Sequence, residues 1–330
     1  MIILRILSVV LFVCSAAPVH AESVKLKLAT SIPDGTVWHR QLMERVNRVK
    51  FASGGEIQID VFPGSQLGGM GDTLKNTLRG RIDMWSGTIP AFGSVNGEYS
   101  LLSLPYLFES GEEFGCVIPQ LLPTMQDLTD GKFTLLSLSP LGTQSLAMKR
   151  EVRLPEDVDG IKIRVAPVAS IINFFASIGA VEVPLDPAET VVAISSGVVS
   201  GVDTSSVYYM AAGINRIAPV FIDTRHVYNI LAVVVSNRAW QALSDEQKAL
   251  LEEEFDVRDF ETELAEIKDV ETALLQQHVD AGGTIVNQTA DERAIWVQAG
   301  RASWNKTKDG LRGDIDRFTD AILEAKAECN

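Results

Sequence analysis

Arg164 stands near the end of Ile161-Lys162-Ile163-Arg164-Val165, and Ala166-Pro167 follows. A guanidinium presents its N–H groups as a planar fork that matches a carboxylate, so arginine is the natural reader of an organic acid. The segment alternates as a strand does, which puts Lys162 and Arg164 on one face and the apolar residues on the other. On that pattern alone Arg164 reads as a surface arginine paired with an acid. Polar residues gather at the ends of other such segments: Thr36, Trp38 and His39 after the first, Ser86 and Thr88 after Trp85. Asp203, Thr204 and Ser205 close another, and Asn229 lies in a strand that His226 precedes. In open α/β sheets such ends are where ligands bind. Trp38, Trp85 and Tyr208 have the size to wall a pocket, although Trp85 taken alone reads as core.

Signatures of catalysis are missing. His39, His226 and His278 are scattered and match no zinc spacing. No G-x-S-x-G elbow, phosphate-binding G-x-x-x-x-G-K-[ST] loop or dinucleotide-binding G-x-G-x-x-G occurs. Gly68-Gly69-Met70-Gly71 reads as a flexible loop before a helix. No cofactor and no metal site is therefore expected. The 330 residues hold 43 Asp+Glu against 29 Lys+Arg, a net charge of −14. Such a chain lacks the basic footprint that nucleic acid or anionic lipid requires. A small anion remains possible, because a pocket can be positive on an acidic protein.

The elements that must position these residues alternate between strand and helix. Val24–Ala29, Ile57–Val61, Arg81–Trp85, Gln144–Met148, Ile161–Val165, Val181–Pro184, Val198–Thr204 and Val227–Val235 read as strands. His39–Val49, Ser170–Ile178 and Glu189–Gly197 read as helices between them, an α/β pattern with a mostly parallel sheet. From Ser244 to Gly282 there is no Pro or Gly until the end. That stretch is one long brace or two helices broken near Asp256–Arg258. Ser244/Gln247 and Thr289/Glu292 have capping-box spacing.

Residues 1–21 read as a secretory leader: Arg5, a short apolar run, then Val19-His20-Ala21 as a cleavage site. The run is too short for a permanent membrane span, and no later run is long enough. Whether Cys116 and Cys329 pair is open at this level.

In order along the chain stand Val61-Phe62-Pro63-Gly64-Ser65-Gln66-Leu67-Gly68, Gly80-Arg81-Ile82-Asp83-Met84 and Leu104-Pro105-Tyr106-Leu107-Phe108. Leu154 to Val165 and Gly197 to Asp203 follow. This series resembles the DctP-type solute-binding proteins of tripartite ATP-independent periplasmic (TRAP) transporters. The resemblance implies a periplasmic-binding-protein-like α/β fold, two lobes around a cleft braced by a long helix. It implies lobe I from 22–141 and 230–269, and lobe II from 142–229 and 270–330. It further implies a periplasmic receptor, not an enzyme, that binds a small organic acid and delivers it to membrane subunits without itself inserting in the membrane. Arg164 matches the family's carboxylate clamp. Gln144 stands where some members carry a second arginine, and Thr204 where an Asn is usual. The expected ligand-binding set is Arg164, Gln144, Thr204, Asp203, Trp38, His39, Trp85, Thr88, Tyr208 and Asn229. One clamp arginine points to a monocarboxylate, or to an acid whose second polar group is neutral. Asp203 and Gln144 alone are too few oxygens for a hard cation. A signalling receptor and a secreted α/β hydrolase are the alternatives.

Overall fold

A computed structural model describes residues 23–256 and 259–329. The expected leader lies outside the described residues. Strand β1 (Val24–Thr30), helix α1 (Val37–Ala52) and strand β2 (Ile57–Phe62) form a parallel unit. The Thr36 hydroxyl starts α1 by accepting from the His39 backbone N–H at 3.3 Å, which satisfies a donor the first turn leaves free. Helix α2 (Met70–Leu78) leads into β3 (Met84–Thr88). That strand begins at Met84 rather than Arg81, so Ser86 and Thr88 lie within it.

Helix α3 (Gly111–Leu128), β4 (Thr134–Met148), β5 (Lys162–Val165), α4 (Ala169–Ser177), β6 (Val181–Pro184), α5 (Thr190–Ser195), β7 (Gly201–Ser205) and α6 (Ser206–Ala211) follow. Then come β8 (Val220–Val235), α7 (Asn237–Ala242), α8 (Asp245–Glu254), α9 (Phe260–Asp280), β9 (Thr284–Val286), α10 (Ala290–Ala302), α11 (Trp304–Gly310) and α12 (Ile315–Glu328). The expected long helical stretch is thus two helices. Both capping boxes, at Ser244 and Thr289, are formed.

The described strands make one nine-stranded sheet in the order β2-β1-β3-β8-β4-β7-β5-β6, with β9 beside β8. It is mixed, with five of its eight strand pairings parallel. β8 runs antiparallel to both β3 and β4, and β4 antiparallel to β7. The two long strands β4 and β8 carry the sheet from one half of the molecule to the other. At the midpoint Pro140 pairs with Ile230 and Gly142 with Asn229, and the register shifts between them. Gly142 has φ +96°, and a Cβ there would stand 2.7 Å from Glu271 Oε1 and 3.0 Å from Ile267. Only glycine fits that bend. On β8 the bend falls at Arg225, a non-glycine at φ +41°. Its backbone N–H donates to Ser145 Oγ at 3.0 Å, and its guanidinium grips Asp223 at 2.8 Å.

Each half has apolar cores on both faces of the sheet. In the first, Trp85, Phe92, Phe114 and Val234 fill one side, and Leu28, Val46, Met84 and Val235 the other. In the second, Val165, Phe174, Phe175 and Trp296 fill one side, and Val202, Tyr209 and Phe221 the other. A small cluster of Ile32, Trp38, Leu141, Leu231 and Ile267 sits between the halves. Helix α9 packs along β4 and touches α1 and α3 of the first half and α6 and β9 of the second. The division expected from the sequence placed all of 270–330 in the second lobe. Helix α12 departs from it: Phe318, Ile322 and Ala325 complete the core around Phe92 and Phe114. Their apolar face has its partner there, and Cys329 is disulfide-bonded to Cys116 of α3. The pairing that sequence left open is formed.

Candidate functional site

The site is built on the carboxyl ends of β5 and β7. Arg164, on β5, is only 5% exposed, so it is not the surface residue its strand pattern suggested. Nε and Nη2 donate to the Leu185 carbonyl at 3.0 and 2.6 Å, and Nη1 donates to the Asp203 carbonyl at 3.3 Å. A guanidinium has five N–H groups. The two left over have no acceptor among the described residues, and Arg164 lines a cavity of about 100 Å³. Burial lowers the Arg164 pKa from its ordinary value, opposed first by the charge of Asp203. Arginine keeps its charge in proteins all the same, so this is a cation held by neutral carbonyls and poised for an anion.

Eight of the ten expected residues line this cavity: Trp38, Thr88, Gln144, Arg164, Asp203, Thr204, Tyr208 and Asn229. The Trp38 indole donates to the Leu141 carbonyl at 3.0 Å, which fixes its ring between α1 and β4. The Tyr208 hydroxyl donates to the Pro187 carbonyl at 2.9 Å, and burial raises its pKa. Asn229 Oδ1 accepts from the Ile230 N–H at 3.1 Å. Thr88 donates to the Met70 sulfur at 3.5 Å, and Thr204 to the Ser205 carbonyl at 3.3 Å.

The other two residues are elsewhere. Trp85 is fully buried in the core, edge-on to Phe92 at 5.3 Å, with its N–H on Thr73 Oγ1 at 3.2 Å. Its face of β3 is the one covered by α2 and the 89–103 segment, where the indole finds its partners. His39 sits on the outer side of the first turn of α1, its Nδ1 3.0 Å from the exposed Asp34 carboxylate. It does not line the cavity.

The cavity also has walls that sequence reasoning did not name. Ile32, Val168, Ile171, Val227 and Leu231 are apolar, and Ser31 and Ser103 are polar. Ser31 and Pro33 directly follow β1, a strand-end signal that was available. Ser103 has no local signal. Larger grooves of about 770 and 730 Å³ lie behind the sheet, against α3 and α9, and between α1 and α6. Neither gathers Arg164 or the residues around it.

Behind Asp203 runs a chain of three groups. Asp203 Oδ1 is 3.1 Å from His226 Nε2, and His226 Nδ1 is 2.8 Å from Thr224 Oγ1. The chain has the composition of a nucleophilic triad. Thr224 and His226 are both fully buried, however, with Phe174 and Phe175 against the imidazole, so no substrate can reach the hydroxyl. Its role is to hold Asp203. Among the described residues no group of three or more His, Cys, Asp or Glu is placed to hold a metal ion. None of the described helices is long and apolar enough to cross a membrane.

Residues 28–309 match the family model DctP, bacterial extracellular solute-binding protein, family 7. A solute-binding protein of Roseobacter denitrificans is 24% identical over 258 residues, 75% of this chain and 77% of that protein. Among solved structures, a TRAP periplasmic solute-binding protein from Pseudomonas putida F1 with bound D-glucuronate superposes with a TM-score of 0.82. It is 20% identical, over 92% of this chain and 97% of that one. Another, from Ralstonia eutropha H16 with bound (S)-2-acetolactate, gives 0.83 at 20% identity, over 92% and 98%.

Proposed function

The chain belongs to the DctP-type bacterial extracellular solute-binding proteins, family 7, and from that premise we propose that it is the periplasmic receptor of a TRAP transporter, that it binds a small carboxylate on Arg164, and that it passes the ligand to membrane subunits. The observation that carries the reading is the buried Arg164, held by two backbone carbonyls with two N–H groups to spare at the cavity. A charge-assisted, two-point hydrogen bond in a site shielded from water is the strongest contact available to an organic acid. The acids bound by the structural neighbours, glucuronate and acetolactate, are of the class such a clamp accepts.

Binding and closure are one event in this reading. The cavity is walled by Ile32, Trp38 and Thr88 from the first half and by Arg164, Asp203 and Tyr208 from the second. A ligand between them favours the closed form only by the contacts it makes with both. The lobes proposed are 22–141 with 230–269, and 142–229 with 270–314, to which α12 adds itself on the first side. The bends at Gly142 and Arg225 support a hinge there.

The test is a thermal-shift screen of the protein lacking residues 1–21 against mono- and dicarboxylates, sugar acids and amino acids. A ligand of the folded state raises Tm by mass action. An acid whose shift is lost in Arg164→Ala supports the receptor and the clamp. A shift that survives the substitution moves the carboxylate site away from Arg164.

A further inference from the structure

The cavity carries opposite charges on neighbouring walls. Arg164 supplies the cation. Asp203, 3% exposed, supplies the carboxylate: one of its oxygens is committed to His226, and the other, Oδ2, has no hydrogen-bond partner among the described residues. The imidazole cannot turn away: Thr224 holds its far nitrogen, and the rings of Phe174 and Phe175 lie 5.5 and 5.7 Å from it. Arg164 Nη1 donates to the backbone carbonyl of this same Asp203 at 3.3 Å, and both residues line the one cavity, which sets the two groups side by side. The remaining wall is largely apolar: Ile32, Leu141, Ile171, Val227 and Leu231. The volume of about 100 Å³ is less than the roughly 150 Å³ apolar cavity that takes up a benzene.

A carboxylate ligand that met only Arg164 would leave Oδ2 of Asp203 desolvated and unpaired. Such an orphan acceptor is costly, and a site with one strongly rejects ligands that lack the matching donor. A ligand with a carbonyl at that place would bring lone pairs against a carboxylate. We infer that the cavity takes a short acid with a hydrogen-bond donor on the carbon beside its carboxylate, a small 2-hydroxy or 2-amino acid. Asp203 is the residue that selects the donor, and His226 is a positioning residue that fixes Asp203. The inference rests on the receptor reading above and names the ligand class of that same site. The hydroxyl and the ammonium share the chemistry; the ammonium also balances the second buried charge.

Isothermal titration of the protein lacking residues 1–21 tests it with two matched sets. One is propionate, pyruvate, lactate and alanine; the other is butyrate with its 2-oxo, 2-hydroxy and 2-amino forms. D-glucuronate serves as a larger acid. The 2-hydroxy or the 2-amino member should bind at least about tenfold more tightly than the plain and 2-oxo acids of its set. Which of the two wins identifies the donor. In Asp203→Ala that preference should vanish, the 2-hydroxy and 2-amino acids falling to the level of the plain acid of their set, whereas a merely structural loss would weaken every acid alike and keep their order. If Asp203→Ala does not fold, Asp203→Asn reads the same preference. A plain or 2-oxo acid binding as tightly as its hydroxy and amino partners overturns the inference and leaves the receptor intact. So does glucuronate binding with no short acid bound. Binding of none of these acids overturns the receptor reading, and the inference with it.

Discussion

His226 shows how much rests on one side chain that touches no solvent. Its two nitrogens join Thr224 to Asp203, and Phe174 and Phe175 pack against the imidazole. Removing the imidazole orphans a hydroxyl and a carboxylate together. His226→Ala should cost about 2–4 kcal/mol of stability, read from the midpoint of urea unfolding. An unchanged midpoint would mean that water replaces the ring. Glu271 makes a different prediction. Burial pushes its pKa up to about 7, against the nearby Ser206 hydroxyl and the Thr143 N–H, 3.4 Å from Oε1, that pull it down. The folded state therefore binds a proton that the unfolded chain gives up near its ordinary 4.5. Its contribution to stability is full below pH 4.5 and is lost as pH rises through 7. Glu271→Gln should match the parent near pH 4 and exceed it by about 1–2 kcal/mol at pH 8, measured by denaturant titration at both. Equal stability at pH 8 would place the carboxylate in contact with water.

Among the elements, α1 and α9 meet through a buried pair. Arg45 Nη2 lies 3.0 Å from Glu263, and its Nη1 donates to Ser139 of β4. Burial pushes Glu263 up to about 7 and Arg45 down, each the response of an ion taken out of water. Glu263→Ala strands the guanidinium and should cost about 3–5 kcal/mol, whereas Glu263→Gln keeps a hydrogen bond and should cost less. Chemical denaturation of the two variants gives the order, and the reverse order would refute the account. The elements also show what sequence made legible. Val24–Ala29 and Ile57–Val61 alternate because each of these strands is buried more on one side, and both are where the alternation puts them. The first half of β4 was invisible. Leu135 to Leu141 is buried on both faces, so it has no alternation, and Pro140 falls inside it. The start of β8 was hidden by Asp223 and Arg225, polar residues that pair with each other. For the site, the strand-end rule brought several of the expected residues to one cavity, among them Thr88, Arg164, Asp203 and Thr204, since the sheet decides where strand ends go. Val168, the N-cap of α4, and Ile171 within it reach the cavity, and no local pattern predicts which face of a helix meets a cleft. Trp85 and His39 lie away from the cavity for the same reason: neighbouring residues in a strand or first turn point in different directions.

At the scale of the whole molecule, the Cys116–Cys329 bridge closes a loop spanning 213 residues. Cys329→Ser should lower stability by about 2–4 kcal/mol under oxidising conditions, with no difference from the parent once both are reduced. Unfolding with and without reductant checks both statements. The same feature sets an order of events for a chain that emerges from its amino end. Phe318, Ile322, Ala325 and Cys329 come from α12 and its C-cap, yet they finish a core whose other members begin at Ala29. The half that appears first is thus the last to be sealed. Until α12 arrives, its apolar surface around Phe92, Phe114 and Tyr99 stays open, so the first half of the emerging chain waits for a helix made long after it.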